Sequence, residues 1–79
     1  MKSFLLLGRP GCHLCEDFLN EMLQVFPSLE GRVTQTNVDD QPDWRMLYGV
    51  RIPVLLGSDG TVLAEGHFSP DKLRAALGT

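Results

Sequence analysis

Phe4-Leu5-Leu6-Leu7 is an unbroken apolar run that stops at Gly8-Arg9-Pro10-Gly11, and two cysteines, Cys12 and Cys15, follow at once. The run is far below the roughly 20 residues needed to span a bilayer. It reads instead as a buried strand closed by a loop of glycine and proline. A single lysine, Lys2, precedes it and no small-residue cleavage site follows, so it does not read as a secretory signal. With Met1 read as the natural start, a cytoplasmic, reducing location is expected. A length of 79 residues leaves room for one domain, residues 1–79, with a modest core and a small net stability.

Beyond the loop, Leu14, Phe18, Leu19, Met22, Leu23, Val25 and Phe26 recur at steps of three and four, the apolar face of a helix that stops near Pro27. Arg32 to Asp39 carries β-branched Val33, Thr34, Thr36 and Val38 and reads as a second strand. Asp40-Gln41-Pro42 then starts a second helix through Trp44 and Leu47 to Tyr48-Gly49. Val54-Leu55-Leu56 and Thr61-Val62-Leu63-Ala64 flank Gly57-Ser58-Asp59-Gly60, which has the composition of a hairpin turn. Ser69-Pro70-Asp71 supplies an N-cap, a first-position proline and a first-turn acid for a last helix bearing Leu73, Ala76 and Leu77 and ending at Gly78. The order is βαβαββα, an α/β fold. The early strand–helix–strand units are expected to cross over right-handedly, and the last two strands to pair antiparallel.

A formal charge of −3, with 43% hydrophobic and 22% charged residues, is ordinary for a soluble globular chain and offers no basic surface for nucleic acid. Cysteines two residues apart close too small a loop to remove much unfolded-state entropy, so stapling the fold is not their purpose. At the opening of a helix the spacing lets the sulfurs approach while leaving the first exposed. Free N–H groups and the helix dipole favour negative charge there, which lowers the Cys12 thiol from its ordinary value of about 8.5. Cys12 is the expected nucleophile, and Cys15, one turn deeper, the resolving thiol. A protonated His13 would favour the thiolate further and make the pair more oxidising, whereas Glu16 and Asp17 act the other way. Arg9, three residues before Cys12, offers a positive charge to the thiolate or to the carboxylate of a small thiol substrate; the plainer alternative is a solvated arginine.

The same cysteine spacing forms half of many zinc sites, but a redox pair is favoured by the β-α-β context found here. Zinc would need two more ligands, and besides acids only His13 and His67 remain, so no metal site is expected. Glu16 stands where haem attachment requires histidine. Trp44, Tyr48 and Phe68 read as packing residues, and Asp39 and Asp40 as turn and capping residues without a catalytic role. His67 reads as a surface histidine, with a place beside Pro53 as the alternative.

Gly11-Cys12-His13-Leu14-Cys15 after a strand, then Asn37-Val38-Asp39 and Tyr48-Gly49-Val50-Arg51-Ile52-Pro53-Val54, resemble signatures of the thioredoxin superfamily across nearly the whole chain. The resemblance is closest to small bacterial glutaredoxin-like proteins, because the strand before the cysteines stands first, without thioredoxin's extra N-terminal strand and helix. It implies a thioredoxin-like fold of the minimal glutaredoxin type, a central four-stranded mixed sheet flanked by helices. It also implies a thiol–disulfide oxidoreductase that reduces protein disulfides or glutathione mixed disulfides. In that family the proline matching Pro53 is cis and sits opposite the cysteines, and the backbone of the preceding residue, here Ile52, holds an extended thiol substrate. From the residues alone either isomer is open, since X–Pro bonds tolerate cis at about 0.5–1 kcal/mol.

His13-Leu14 replaces the family's proline and tyrosine between the cysteines, which leaves potential and substrate choice open. Gly66-His67-Phe68-Ser69-Pro70-Asp71 keeps only part of the motif that binds glutathione's γ-glutamyl end, with Gly66 as the matching substrate-binding position. No bound cofactor is expected, and glutathione is a candidate co-substrate. The expected partners are disulfide-containing proteins or glutathione and a regenerating reductase, for a monomer that engages neither nucleic acid nor membrane. Two other classes stay open. One is a metal-handling protein, with zinc or a glutathione-linked iron–sulfur cluster, and the other is a thioredoxin-fold interaction module whose cysteines are incidental.

Overall fold

The computed structural model describes residues 3–77. Strand β1 (Phe4–Gly8) leads into helix α1 (His13–Val25) and a 3₁₀ turn (Pro27–Leu29); β2 (Val33–Asn37) leads into a second 3₁₀ turn (Val38–Asp40) and α2 (Pro42–Tyr48). Strands β3 (Val54–Leu56) and β4 (Val62–Glu65) form a hairpin, and α3 (Pro70–Leu77) closes the chain. Lys2 and Gly78, expected as the outer ends of the first strand and last helix, lie outside the described residues.

The strands form one four-stranded mixed sheet in the order β2-β1-β3-β4, with β1 parallel to β2 and antiparallel to β3. Successive side chains of a strand point to opposite faces, and both faces of β1 are covered. Phe4 and Leu6 join Phe18 and Met22 of α1, Leu55 of β3, Ala64 of β4 and Leu73 of α3 in one buried cluster. Leu7 joins Val38, Val54 and Leu56 in a second, against which Trp44, Tyr48 and Ile52 pack. Burial on both faces is what turns β1 into a continuous apolar run rather than an alternating one. Phe68 seals the first cluster with edge-on contacts to Phe18 and Phe26, ring centroids 5.6 and 6.2 Å apart.

The βαβαββα thioredoxin-like architecture is as the sequence leads one to expect, with three local differences. Strand β1 continues through Gly8, which pairs with Asn37. Strand β2 stops at Asn37, whose side-chain oxygen accepts the Asp39 N–H at 2.9 Å; this caps the 3₁₀ turn and drops Val38 into the core. Two right-handed crossovers were expected, but β3 reverses direction and pairs with β1, so β2-α2-β3 does not join parallel neighbours. The reason is compositional. Strand β2 carries Thr34, Gln35 and Thr36 and suits an edge, whereas β3 is buried at all three residues and takes the free side of β1.

Candidate active site

Arg9-Pro10-Gly11-Cys12 forms a tight turn in which the Cys12 N–H donates to the Arg9 carbonyl at 3.2 Å. Proline at the second position and Gly11 at φ 78° at the third are the residues a type II turn requires, because the positive φ suits glycine. The turn delivers Cys12 as the N-cap of α1. Its sulfur accepts the Cys15 N–H at 3.1 Å, and its carbonyl accepts the Glu16 N–H at 3.1 Å. Cys12 and Cys15 are joined by a disulfide, with Cα atoms 5.2 Å apart. When the bridge opens, a backbone donor and the positive end of the α1 dipole are already aimed at the Cys12 sulfur.

In the sequence Gly8 reads only as the first residue of the loop that closes the strand, yet it belongs to the site. A Cβ placed there would lie 2.9 Å from Cys15 Sγ and 3.2 Å from Cys15 Cβ, so only glycine lets the end of β1 run this close to the second cysteine. Its signal in the sequence was a glycine at a strand terminus, which marks close approach of another group.

Arg9 is not the solvated arginine of the plainer expectation. Its Nε and Nη2 donate to the two carboxylate oxygens of Asp39 at 2.9 and 3.0 Å, and its Nη1 donates to the Gly49 carbonyl at 2.7 Å. The hydrogen bonds from Arg9 hold the Asp39 carboxyl below its ordinary range and raise the guanidinium in turn. Its charge is therefore paired with Asp39, which qualifies the thiolate-tuning role expected of it. Asp39, expected to serve only turn and capping, is the missed partner; a contact across 30 residues leaves no local signal.

The other residues expected at the site take distinct places. The His13 side chain is 92% exposed, with Nδ1 3.9 Å from the Glu16 carboxylate, an ion pair only when the imidazole is protonated. The Ile52–Pro53 peptide bond is cis, Pro53 is fully buried and Ile52 packs on the second cluster. Because Leu7 pairs with Val54, Pro53 stands at the same end of the sheet as Gly8 and the cysteine turn. The Gly66 N–H donates to the Pro53 carbonyl at 2.8 Å, which supports Pro53 and leaves that N–H engaged. Arg51 binds Glu65 through its side chain and donates to the Leu47 carbonyl at 3.2 Å.

A groove of about 270 Å³ runs beside the disulfide between the cysteine turn and β2. Arg9, Cys12, Cys15 and Glu16 line it with Thr36 and Asn37; His13, Ile52, Pro53 and Gly66 do not. Among the described residues no cluster of three or more His, Cys, Asp or Glu side chains could hold a metal ion, and no helix is long and apolar enough to cross a membrane.

Fold and site together define a thioredoxin-like protein with a redox-competent Cys-x-x-Cys pair at the start of its first helix. The chain matches the Glutaredoxin-like domain (DUF836) over residues 3–78 and belongs to that family, and its Cys12–Cys15 pair is fitted for thiol–disulfide chemistry. Two solved structures are similar. The solution NMR structure of protein Ne2328 from Nitrosomonas europaea has a TM-score of 0.83 at 25% identity, covering 95% of this chain and 89% of that one. The X-ray structure of protein XcR50 from X. campestris has a TM-score of 0.71 at 32% identity, covering 96% of each chain. Among curated proteins no significant relative is found.

Proposed function

We propose that this oxidoreductase reduces protein disulfides or glutathione mixed disulfides, with Cys12 as the nucleophile and Cys15 as the resolving thiol. The observation that carries the reading is the Cys12–Cys15 bridge at the start of α1, where Cys12 is the N-cap and meets a backbone donor. In the reduced protein the Cys12 thiolate attacks one sulfur of the substrate disulfide, forming a mixed disulfide and releasing the first product thiolate. Cys15 then attacks the Cys12 sulfur and releases the second. Two electrons pass from the dithiol to the substrate, and the two cysteine protons end on the product thiols. The Ile52 backbone would hold an extended substrate, with cis Pro53 turning it toward the cysteines and Gly66 supporting that loop. Glutathione enters as a substrate or reductant rather than as a bound cofactor. A cysteine pair used for exchange rather than stapling suits a reducing, cytoplasm-like compartment.

The test is equilibration of the protein in graded reduced and oxidised glutathione, followed by acid quench, alkylation and mass analysis of Cys12 and Cys15. One reversible two-electron transition is expected. Cys12→Ser should abolish turnover, and Cys15→Ser should trap a mixed disulfide on Cys12. Equal alkylation rates for both thiols would overturn the assignment of roles, and inert thiols would overturn the dithiol reading itself.

A further inference from the structure

We propose that Arg9 is a positioning residue for disulfide exchange, holding the Cys12 turn and the loop before Pro53 in fixed relation through Asp39 and Gly49. The proposal rests on the dithiol reading above and adds to it a device that sets how the two halves of the site face each other.

Arg9 is the first residue of the turn that presents Cys12, and its carbonyl accepts the Cys12 N–H at 3.2 Å. Pro10 fixes one dihedral of that turn and Gly11 holds the positive φ, so whatever anchors Arg9 also anchors Cys12. The guanidinium is anchored on two sides. One is Asp39, itself fixed by the Asn37 side chain at the end of β2. The other is the carbonyl of Gly49, the residue that closes α2.

From Gly49 the chain runs directly to Ile52–Pro53. This segment is held again by the Arg51 N–H on the Tyr48 carbonyl at 2.8 Å, and by the Gly66 N–H on the Pro53 carbonyl at 2.8 Å. Arg9 thus bonds directly to both loops. A Cβ at Gly49 would lie 2.5 Å from the Arg45 carbonyl oxygen and 3.2 Å from Arg9 Nη2, so glycine is required first by the close of α2 and also keeps the approach of Arg9 open. The planar fork is needed because a lysine ammonium, a single point on a flexible stem, cannot span both Asp39 oxygens and a carbonyl in one geometry. Arg9 and Asp39 side chains are 38% and 40% exposed, where ion pairs contribute little to stability, so geometry is the pair's main use.

The rival role for Arg9 is electrostatic support of the Cys12 thiolate, and Asp39 separates the two. If charge were the role, Asp39→Ala would free the guanidinium and lower the Cys12 thiol pKa, the opposite of Arg9→Ala. If Arg9 positions the loops, both substitutions impair the same step in the same direction, and the double variant is no worse than either alone.

The experiment compares the full chain with Arg9→Ala, Arg9→Lys, Asp39→Ala, Asp39→Asn and the Arg9→Ala/Asp39→Ala pair. Two readouts are taken: the pH profile of Cys12 alkylation by iodoacetamide, and kcat/KM for a disulfide-bridged peptide against the small disulfide of 2-mercaptoethanol. The small disulfide needs no alignment with the Pro53 loop. The expected result is a loss of about 10- to 100-fold on the peptide for both alanine variants and the pair, the range of misplaced reacting groups. The loss on the small disulfide should be several-fold smaller than on the peptide, any change in the alkylation profile should run in the same direction in Arg9→Ala and Asp39→Ala, and Arg9→Lys should not rescue. Arg9→Lys and Asp39→Asn carry the test if an alanine variant fails to fold. Opposite shifts of the alkylation profile in Arg9→Ala and Asp39→Ala, rescue by lysine, or equal losses on both substrates overturn the proposal. A wild-type chain that exchanges neither disulfide overturns the dithiol reading, and the proposal with it.

Discussion

Gly8→Ala tests whether the end of β1 is shaped around the second sulfur. An ideal Cβ at this position falls 2.9 Å from Cys15 Sγ and 3.2 Å from Cys15 Cβ. Comfortable contacts between carbon atoms lie at about 3.5–4.0 Å, so the added methyl overlaps the sulfur by more than half an ångström by that rough standard. Neither backbone gives way easily, because Gly8 is paired with Asn37 and Cys15 lies inside α1. In the oxidised protein the sulfur is tied to Cys12 and cannot turn aside. In the dithiol, rotation about the Cα–Cβ bond lets it swing away, although the Cβ contact persists. The clash therefore falls more heavily on the disulfide form.

Overpacking of this kind costs about 1–3 kcal/mol. The gain of about 0.4–1 kcal/mol that alanine brings by restricting the unfolded chain is common to both forms and drops out of their difference. If roughly half of the clash is relieved on reduction, the disulfide loses about 0.5–1.5 kcal/mol relative to the dithiol. For a two-electron couple about 1.4 kcal/mol corresponds to 30 mV, so the potential should become less negative by about 10–30 mV. Equilibration in glutathione buffers gives the midpoint, and urea unfolding of the oxidised and reduced proteins gives the two stabilities. An unmoved midpoint with equal losses in both forms, or a shift to more negative potential, would show that the sulfur has no more freedom in the dithiol than in the bridge.

Three further outcomes are expected. Met22→Ala, at a side chain with no exposure in the larger cluster, should lower the urea unfolding free energy by about 2–5 kcal/mol. Gly11→Ala should cost roughly 1–2 kcal/mol through its positive φ and loosen the cysteine turn, read as a change in Cys12 alkylation rate beside the unfolding curve. Hydrogen bonds from Arg9 and Arg51 lower the folded-state pKa of Asp39 and Glu65, so their contribution is present above the ordinary carboxylate value of about 4 and is lost as pH falls through the lowered values. Thermal unfolding followed from pH 6 down to pH 2 should therefore show a smaller acid-induced loss for Asp39→Asn and Glu65→Gln than for wild type, and an unchanged slope in both would refute these assignments.

What was legible in the chain follows the range of the interactions. Helix α1 announces itself because Phe18 and Met22 lie one turn apart on a buried face, and α2 starts at Pro42 because proline is tolerated there. The cysteine pair is legible because its chemistry needs only its own spacing and a helix start. The end of β2 was misjudged because Val38 is as β-branched as its neighbours, and the Asn37 cap that diverts it competes silently with the strand. The Arg9–Asp39–Gly49 bridge was invisible for a different reason: its members lie 30 and 40 residues apart and meet only once the sheet order is fixed.

That sheet order decides the site. Strand β1 ends at the cysteine turn, and any residue meant to face Cys12 must emerge at the same end of the sheet. Two successive parallel crossovers would have placed the start of β3 at the far end, about 10 Å away for a three-residue strand rising roughly 3.3 Å per residue. Reversal of β3 instead pairs Val54 with Leu7 and brings Pro53 beside Gly8. The tight hairpin then reverses the chain once more, pairs Glu65 with Val54 and returns Gly66 to the same end, within hydrogen-bonding reach of Pro53. A chain of 79 residues thus assembles four separate segments at one sheet end: the cysteine turn, Asp39, the Gly49–Pro53 loop and Gly66. The apolar pattern that makes β1 central and β2 an edge is therefore also what makes the disulfide site possible.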